Sequence, residues 1–284
     1  MTTFHITTAD AVPLTAQWVH APEGACHGVV LLAPATGVRR RFYADFARHL
    51  GSQGFDVLLW DPRGIGDSRR APARHDPATL RDWGERDLDA VIRHAREQRP
   101  DTRLWLLGHS SGGHLAGLAP ALPLCDGLIL VAAGTCDWRD YPASQWPRLW
   151  AVWWLAVPAL TGLLGYLPGW AGVGHDLPRG VARQWRRWSL TKGYLFGDPA
   201  VDTSGFGRFD KPLLALSMAD DLGFAPPKAV RQLLVRFAKA PQTHVELRRE
   251  GGGAPIGHFG FFRPVHAHRW TEVSDWLLRR AGPT

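Results

Sequence analysis

Five short runs of consecutive apolar residues recur along the chain. They cover residues 29–33, 57–60, 104–107, 128–132 and 213–216. None of them alternates between apolar and polar positions, which is typical of strands buried on both faces of a parallel sheet. We therefore predict that these runs form the centre of a parallel sheet.

Between these runs, apolar residues recur at helical spacing. Tyr43, Phe46, Ala47 and Leu50 follow an i, i+3, i+4, i+7 pattern, and similar stripes cover residues 80–92, 230–238 and 270–277. Residues 4–8 and 14–21 predict an antiparallel hairpin at one sheet edge, and residues 243–249 predict a last strand. Alternating strands and helices indicate an α/β fold, with about eight strands and helices on both faces of the sheet.

One long segment interrupts this alternation. About 80 residues separate the runs at 128–132 and 213–216, whereas a crossover needs only about a dozen. The segment holds eight of the 14 Trp residues. We interpret residues 135–205 as a helical cap inserted into a core of residues 1–134 and 206–284.

The middle of the cap is uncharged from residue 149 to residue 174. That length would allow a transmembrane helix, but Pro158 and nearby glycines interrupt it, and predicted core strands continue on both sides. We favour a cap that lines a pocket, with peripheral membrane contact as the other interpretation, assisted by Arg183, Arg186 and Arg187. The Trp residues predict either an apolar lid over a substrate or the packing of the cap on the core.

Composition narrows the function classes. Apolar residues make up 45% of the chain, and 33 basic against 26 acidic side chains give a net charge of +7. The Arg residues are spread along the whole chain, which indicates a solvated basic surface rather than a nucleic-acid footprint. The three Cys residues show no CxxC spacing, and His266 and His268 are spaced unlike a helical metal pair, so we expect no metal and no cofactor. The N-terminus lacks the pattern of a signal peptide, which predicts a cytoplasmic protein.

The candidate nucleophile is Ser110, in the run Gly108-His109-Ser110-Ser111-Gly112. It lies between the predicted strand 104–107 and a predicted helix at 114–122, and G-x-S-x-G carries most weight in that context. The turn raises the hydroxyl above the sheet edge, and the following backbone N–H groups face developing negative charge.

A serine nucleophile needs a base and an orienting carboxylate. Asp220 and Asp221 follow the strand 213–216, and His258 lies just beyond the last predicted strand. His244 falls inside that strand and is interpreted as structural. His266 and His268 are expected to be exposed. His258 is therefore the predicted base.

With these residues the chain resembles the α/β-hydrolase superfamily over nearly its full length, and more closely a group of bacterial predicted α/β-hydrolases. Besides the Ser110 motif, the resemblance to the superfamily rests on Asp61-Pro62-Arg63-Gly64-Ile65-Gly66-Asp67-Ser68. The closer resemblance rests on Pro34-Ala35-Thr36-Gly37, Asp82-Trp83-Gly84-Glu85-Arg86-Asp87 and Gly257-His258-Phe259-Gly260-Phe261-Phe262.

The resemblance implies a Ser–acid–His triad in which Asp220 is the acid, with Asp221 as the alternative. It also implies an oxyanion hole formed by the N–H groups of Ala35 and Ser111. Thr36 is the other candidate donor, because the usual His-Gly pair is absent here. Arg39, Arg40 and Arg41 are expected to form a solvated helix start.

A serine at this position predicts acyl chemistry. We expect a serine hydrolase that cleaves an ester or thioester of an apolar acyl or aryl substrate. The competing hypothesis is a non-catalytic hydrolase-like protein that binds a lipid or a partner through its apolar cap.

Overall fold

The computed structural model describes residues 2–23 and 26–281. The strands, in chain order, are β1 (Thr3–Thr7), β2 (Pro13–Val19), β3 (Gly28–Ala33), β4 (Phe55–Trp60), β5 (Leu104–His109), β6 (Gly127–Val131), β7 (Tyr166–Leu167), β8 (Leu177–Pro178), β9 (Leu213–Met218) and β10 (Gln242–Leu247).

Eight of these strands form one sheet in the order β1-β2-β4-β3-β5-β6-β9-β10. Strand β2 is antiparallel to β1 and β4, and the other pairs are parallel. The predicted α/β fold with about eight strands is confirmed. Every residue of β3, β4, β5, β6 and β9 is buried, whereas the edge strands β1 and β10 expose residues. The continuous apolar runs therefore form the centre of the sheet, as their pattern predicts.

Helices connect the strands. The α-helices are α1 (Ala44–Ser52), α2 (Leu80–Asp82), α3 (Asp89–Gln98), α4 (Ser111–His114), α5 (Trp146–Trp150), α6 (Val157–Leu163), α7 (Arg179–Leu190), α8 (Ser204–Arg208), α9 (Pro227–Leu234), α10 (Gly257–Gly260) and α11 (Thr271–Ala281). Single π-helical stretches at Trp83–Leu88 and Ala151–Ala156 join α2 to α3 and α5 to α6. Short 3₁₀ turns cover Arg40–Tyr43, Gly66–Ser68, Ala116–Leu118, Leu122–Leu124, Trp138–Asp140, Ala143–Gln145, Gly169–Ala171, Tyr194–Gly197 and Pro264–Arg269.

The helix that follows Ser110 differs from the prediction. Instead of covering residues 114–122, it ends as α4 at His114, and a 3₁₀ turn follows at Ala116–Leu118. Gly117 is a poor helix former, and Pro120 disfavours helical backbone at the residue before it. One turn of helix therefore supports the serine.

The cap, residues 135–205, lies between β6 and β9 and is mostly helical. Its Trp residues divide between two environments. Trp153 and Trp188 are buried, whereas Trp146, Trp150, Trp154 and Trp170 are 39–77% exposed. Packing on the core thus accounts for only some of them. Within the described residues, no helix is both long enough and apolar enough to cross a bilayer.

Two expectations of exposure are wrong. Arg40 is buried because its guanidinium pairs with Asp61 and, at 2.7 Å, with Asp67. His266 is buried and donates from Nε2 to the carbonyl of Pro255 at 3.1 Å. Both partners of Arg40 belong to the motif at residues 61–68, which therefore ties the start of α1 to the end of β4.

Candidate active site

Ser110 occupies the turn between β5 and α4 in a strained backbone conformation. Its φ is +51° and its ψ is −115°, which are rare for a residue with a side chain. The two motif glycines make the turn possible. A Cβ on Gly108 would lie 2.4 Å from the Cα of Gly113, and one on Gly112 would lie 2.2 Å from the Ala33 carbonyl oxygen. Both contacts are with backbone atoms, so these positions admit glycine alone.

His258 lies at the start of α10 and is buried. Its Nδ1 is 2.6 Å from Oδ2 of Asp221, which accepts the bond. The ring stacks on Phe224 at 4.8 Å and meets Phe259 edge-on at 4.8 Å. Because Nδ1–H donates to Asp221, Nε2 is left as the basic nitrogen of the neutral ring.

Asp221, rather than Asp220, is therefore the carboxylate that contacts His258, which corrects the sequence preference. Asp221 is buried and also accepts bonds from the N–H groups of Phe224 and Ala225, each at 3.1 Å. Asp220 instead accepts the N–H groups of Ile256 and Gly257, each at 2.9 Å. It fixes the backbone just before His258 without contacting the ring.

A buried hydrogen-bond chain connects the loop after β3 to the His258 backbone. The Ala35 N–H donates to the Tyr43 hydroxyl at 2.9 Å, Tyr43 Oη lies 2.8 Å from His109 Nδ1, and His109 Nε2 lies 2.9 Å from the His258 carbonyl oxygen. A carbonyl can only accept, so Nε2 of His109 carries the proton and Nδ1 accepts from Tyr43. Every donor and acceptor in this chain is matched.

Burial keeps the side chains in this series of hydrogen bonds uncharged. It lowers the pKa of His109 well below the ordinary value, with the nearby His258 adding to the effect, and it raises the pKa of Tyr43. Sequence reasoning missed both residues. Tyr43 reads as one position of an apolar helix stripe, and the one available signal for His109 is its place between a buried strand and Ser110.

The same series of hydrogen bonds contradicts the expectation that Ala35 is an oxyanion donor, because the Ala35 N–H already donates to the Tyr43 hydroxyl. Among the described residues, neither the Thr36 N–H nor the Ser111 N–H donates a hydrogen bond to another backbone group. Thr36 also lines the cavity that contains Ser110. Thr36 is thus a donor of this loop that is still available at the cavity.

A cavity of about 260 Å³ brings Ser110, His258 and Thr36 together. The cap supplies most of its other walls, and β-sheet loops supply the rest. These walls are almost wholly apolar and aromatic, formed by Leu149, Val152, Trp153, Ala156, Val157, Leu167, Val173, Trp185, Phe224 and Phe259 among others. Arg148 is the one charged side chain of the described residues at this wall, apart from His258 when protonated.

The fold and the position of the serine define the class of the protein. A serine on a strained strand-to-helix turn, at the carboxyl edge of a mostly parallel sheet covered by helices, is the architecture of an α/β-hydrolase. The family model described as "Serine aminopeptidase, S33" matches residues 24–165, half of the chain, and the chain belongs to this α/β-hydrolase family. The matched region includes Ser110 but ends before Asp221 and His258.

Solved structures share the fold across nearly the whole chain. A soluble variant of monoglyceride lipase from Saccharomyces cerevisiae has a TM-score of 0.68 at 16% identity and covers 100% of this chain and 97% of its own. An esterase domain from Rhodothermus marinus has a TM-score of 0.62 at 18% identity and covers 99% of each chain. A protein from Butyrivibrio proteoclasticus with ferulic acid bound has a TM-score of 0.60 at 16% identity and covers 98% and 97%. No curated protein sequence matches the chain at a significant level.

Proposed function

We propose that the protein is a serine hydrolase that cleaves a carboxylic ester or thioester through an acyl-enzyme intermediate. One observation carries this proposal. Ser110 and His258 line the same apolar cavity, and His258 is held by a 2.6 Å bond to the buried Asp221. That arrangement supplies a nucleophile, a base and an orienting acid.

In the proposed reaction, Ser110 Oγ attacks the substrate carbonyl carbon while His258 Nε2 takes the hydroxyl proton. Asp221 accepts the Nδ1–H bond throughout and stabilises the imidazolium. When the tetrahedral intermediate collapses, His258 returns the proton to the leaving alcohol or thiol, and Ser110 keeps the acyl group. Water then attacks the acyl-enzyme with His258 again as the base, which releases the acid and restores Ser110.

The negative charge on the carbonyl oxygen needs donors that are already in place. We assign this role to the backbone N–H groups of Thr36 and Ser111. Ser111 stands at the first position of α4, where helix N–H groups lack an intrahelical acceptor. Each such donor is worth about 10²–10³ in turnover.

The cavity walls indicate the substrate class. They are apolar, and the volume is near the lower end for small-molecule sites, which suits a short acyl or compact aryl group. The names of the structural neighbours, an esterase and a monoglyceride lipase among them, agree with an ester substrate.

Cleavage of an N-terminal residue, the activity in the family's name, fits the cavity less well. Such a substrate carries an ammonium group, which calls for a carboxylate close to the scissile bond. Within the described residues, no Asp or Glu lines the cavity, and Asp221 is already bound to His258. We therefore place ester or thioester cleavage ahead of aminopeptidase activity.

A fluorophosphonate probe tests the nucleophile. Wild type and a Ser204→Ala control, which changes an exposed serine far along the chain, should be labelled equally, and Ser110→Ala should not be labelled at all. p-Nitrophenyl esters of graded chain length and alanine p-nitroanilide then test the substrate class. Equal labelling of Ser110→Ala, or no labelling of wild type, would contradict the proposal and favour the non-catalytic hypothesis.

A further inference from the structure

The cap carries a cluster of exposed apolar side chains that the cavity does not use. Seven of the twelve large hydrophobic residues exposed on the described chain fall within residues 146–170. They are Trp146, Trp150, Trp154, Leu155, Leu163, Leu164 and Trp170, and we call them the outer cap face. Single exposed apolar residues are ordinary, but seven of them within 25 consecutive residues call for an explanation.

One continuous helical stretch carries most of this face. It runs from Trp146 to Leu163, about 27 Å at 1.5 Å per residue. Leu149, Trp153 and Val157 turn inward and line the cavity, whereas Trp150, Trp154 and Leu155 point to solvent. A helix that is apolar on most sides is normally buried on all of them. Here the outer side has no other part of the described protein packed over it.

The charge beside the outer cap face is positive. From Trp146 to Leu190, which is the end of α7, the chain has five basic side chains and a single acidic one, Asp176, whereas the whole cap of residues 135–205 has seven basic and five acidic ones. Arg179 and Arg183 of α7 lie against this stretch, since both guanidinium groups donate to Thr161. Neither of these two Arg residues has a carboxylate within ion-pair distance among the residues that the structure describes.

This charge argues against a second copy of the chain as the occupant. A symmetric dimer would place the same basic flank against itself, with Asp176 as the one acid that each copy offers from this segment. An anionic surface is complementary. Exposed Trp rings beside Arg side chains suit the boundary between phospholipid headgroups and acyl chains.

We propose that the outer cap face docks on the surface of an anionic phospholipid bilayer. The apolar side chains enter the headgroup boundary, and Arg179 and Arg183 pair with lipid phosphates. Ala171 and Gly172, which line the cavity, are the chain neighbours of the exposed Trp170. Docking would therefore bring the cavity rim to the lipid surface, but the proposal itself does not depend on hydrolytic activity.

Sedimentation with vesicles tests the docking directly. Purified protein is mixed with vesicles of phosphatidylcholine alone or with 30% phosphatidylglycerol, and the bound fraction gives the partition coefficient. Wild type should bind the anionic vesicles and release at high salt. Trp150→Ser with Trp170→Ser should lower partitioning at least tenfold. Arg179→Gln with Arg183→Gln should lower it about thirtyfold, on anionic vesicles only.

Matched controls distinguish binding through the outer cap face from nonspecific adsorption to vesicles. Val235→Ser changes an exposed apolar residue outside the cap, and Arg103→Gln with Arg279→Gln removes two exposed charges outside it. Both control variants should bind like wild type. All variants should keep wild-type fluorophosphonate labelling in the absence of vesicles, so failure of docking and failure of the proposed activity are distinguishable.

Three results would overturn the proposal. Wild type could fail to sediment with anionic vesicles, or the controls could lose as much binding as the cap variants. Alternatively, analytical ultracentrifugation could show a dimer that the Trp150→Ser, Trp170→Ser variant dissociates, which would identify a second copy as the occupant.

Discussion

Asp221 and Asp220 are adjacent, yet the structure gives them different tasks, and exchanging each for Asn should separate those tasks. In Asp221→Asn the amide oxygen can take the place of Oδ1 and keep the bond from the Phe224 N–H, but the NH₂ takes the place of Oδ2, so the bond from the Ala225 N–H is lost. The amide NH₂ would then face His258 Nδ1, which accepts, and the ring proton would move to Nε2. Nε2 could no longer take the Ser110 proton.

We expect kcat for a p-nitrophenyl ester to fall by about 10⁴ in Asp221→Asn, as in a serine protease with the same exchange. That loss corresponds to about 5.5 kcal/mol of transition-state stabilisation. The free energy of unfolding should fall by about 1–2 kcal/mol, because the side chain keeps its volume and the bond from the Phe224 N–H but loses the bond from the Ala225 N–H.

Asp220→Asn is the matched control. In wild type each carboxylate oxygen of Asp220 accepts one backbone N–H, and the amide oxygen of Asn can keep only one of these two bonds. We expect a loss of about 1–2 kcal/mol in the free energy of unfolding and a decrease in kcat below tenfold. If Asp220→Asn lost more activity than Asp221→Asn, the assignment of the acid would be refuted. The same would hold if Asp221→Asn kept a tenth of the wild-type kcat.

Three further outcomes follow from buried contacts. Tyr43→Phe leaves the Ala35 N–H and His109 Nδ1 without partners, so urea denaturation should show a loss of about 2–4 kcal/mol in unfolding free energy; an unchanged midpoint would contradict this chain of bonds. Gly112→Ala should yield insoluble or unfolded protein by circular dichroism, whereas Gly207→Ala, where a Cβ meets nothing within 4 Å, should fold like wild type. Burial lowers the pKa of His114 from 6.5 to about 4, so the unfolded chain binds a proton that the folded one does not, and stability falls as pH drops through this interval. His114→Gln should remove about 3 kcal/mol of that fall in urea titrations between pH 7 and 4, and an identical pH profile would contradict it.

The centre of the fold could be predicted because its signal is local. A strand buried on both faces must be apolar at consecutive positions, and all five such runs became central strands. The Ser110 turn is equally local, since Gly108 and Gly112 meet backbone atoms within one strand–turn–helix unit and its neighbouring strand.

The acid and the oxyanion donor could not be predicted in this way, because contacts across the fold decide them. Asp220 and Asp221 have the same chemistry, and the choice depends on which of them turns toward a loop 37 residues later. Ala35 loses its N–H to a tyrosine eight residues away on another element. Arg40 is buried for the same reason, since its carboxylate partners lie 21 and 27 residues further along the chain.

The uncharged stretch of the cap is where the residue pattern departs most from the usual pattern of a helix packed on a core. A helix that packs on a core through one face normally carries polar residues on the opposite face, whereas Trp146–Leu163 exposes Trp150, Trp154 and Leu155 there. Stability of the core does not require this, because Trp150 and Trp154 are exposed and could be polar at little cost. Such departures from local consistency are expected at functional sites. The inner side of the helix lines the cavity of Ser110 and His258, whereas the docking proposed above would explain why the outer side is apolar as well.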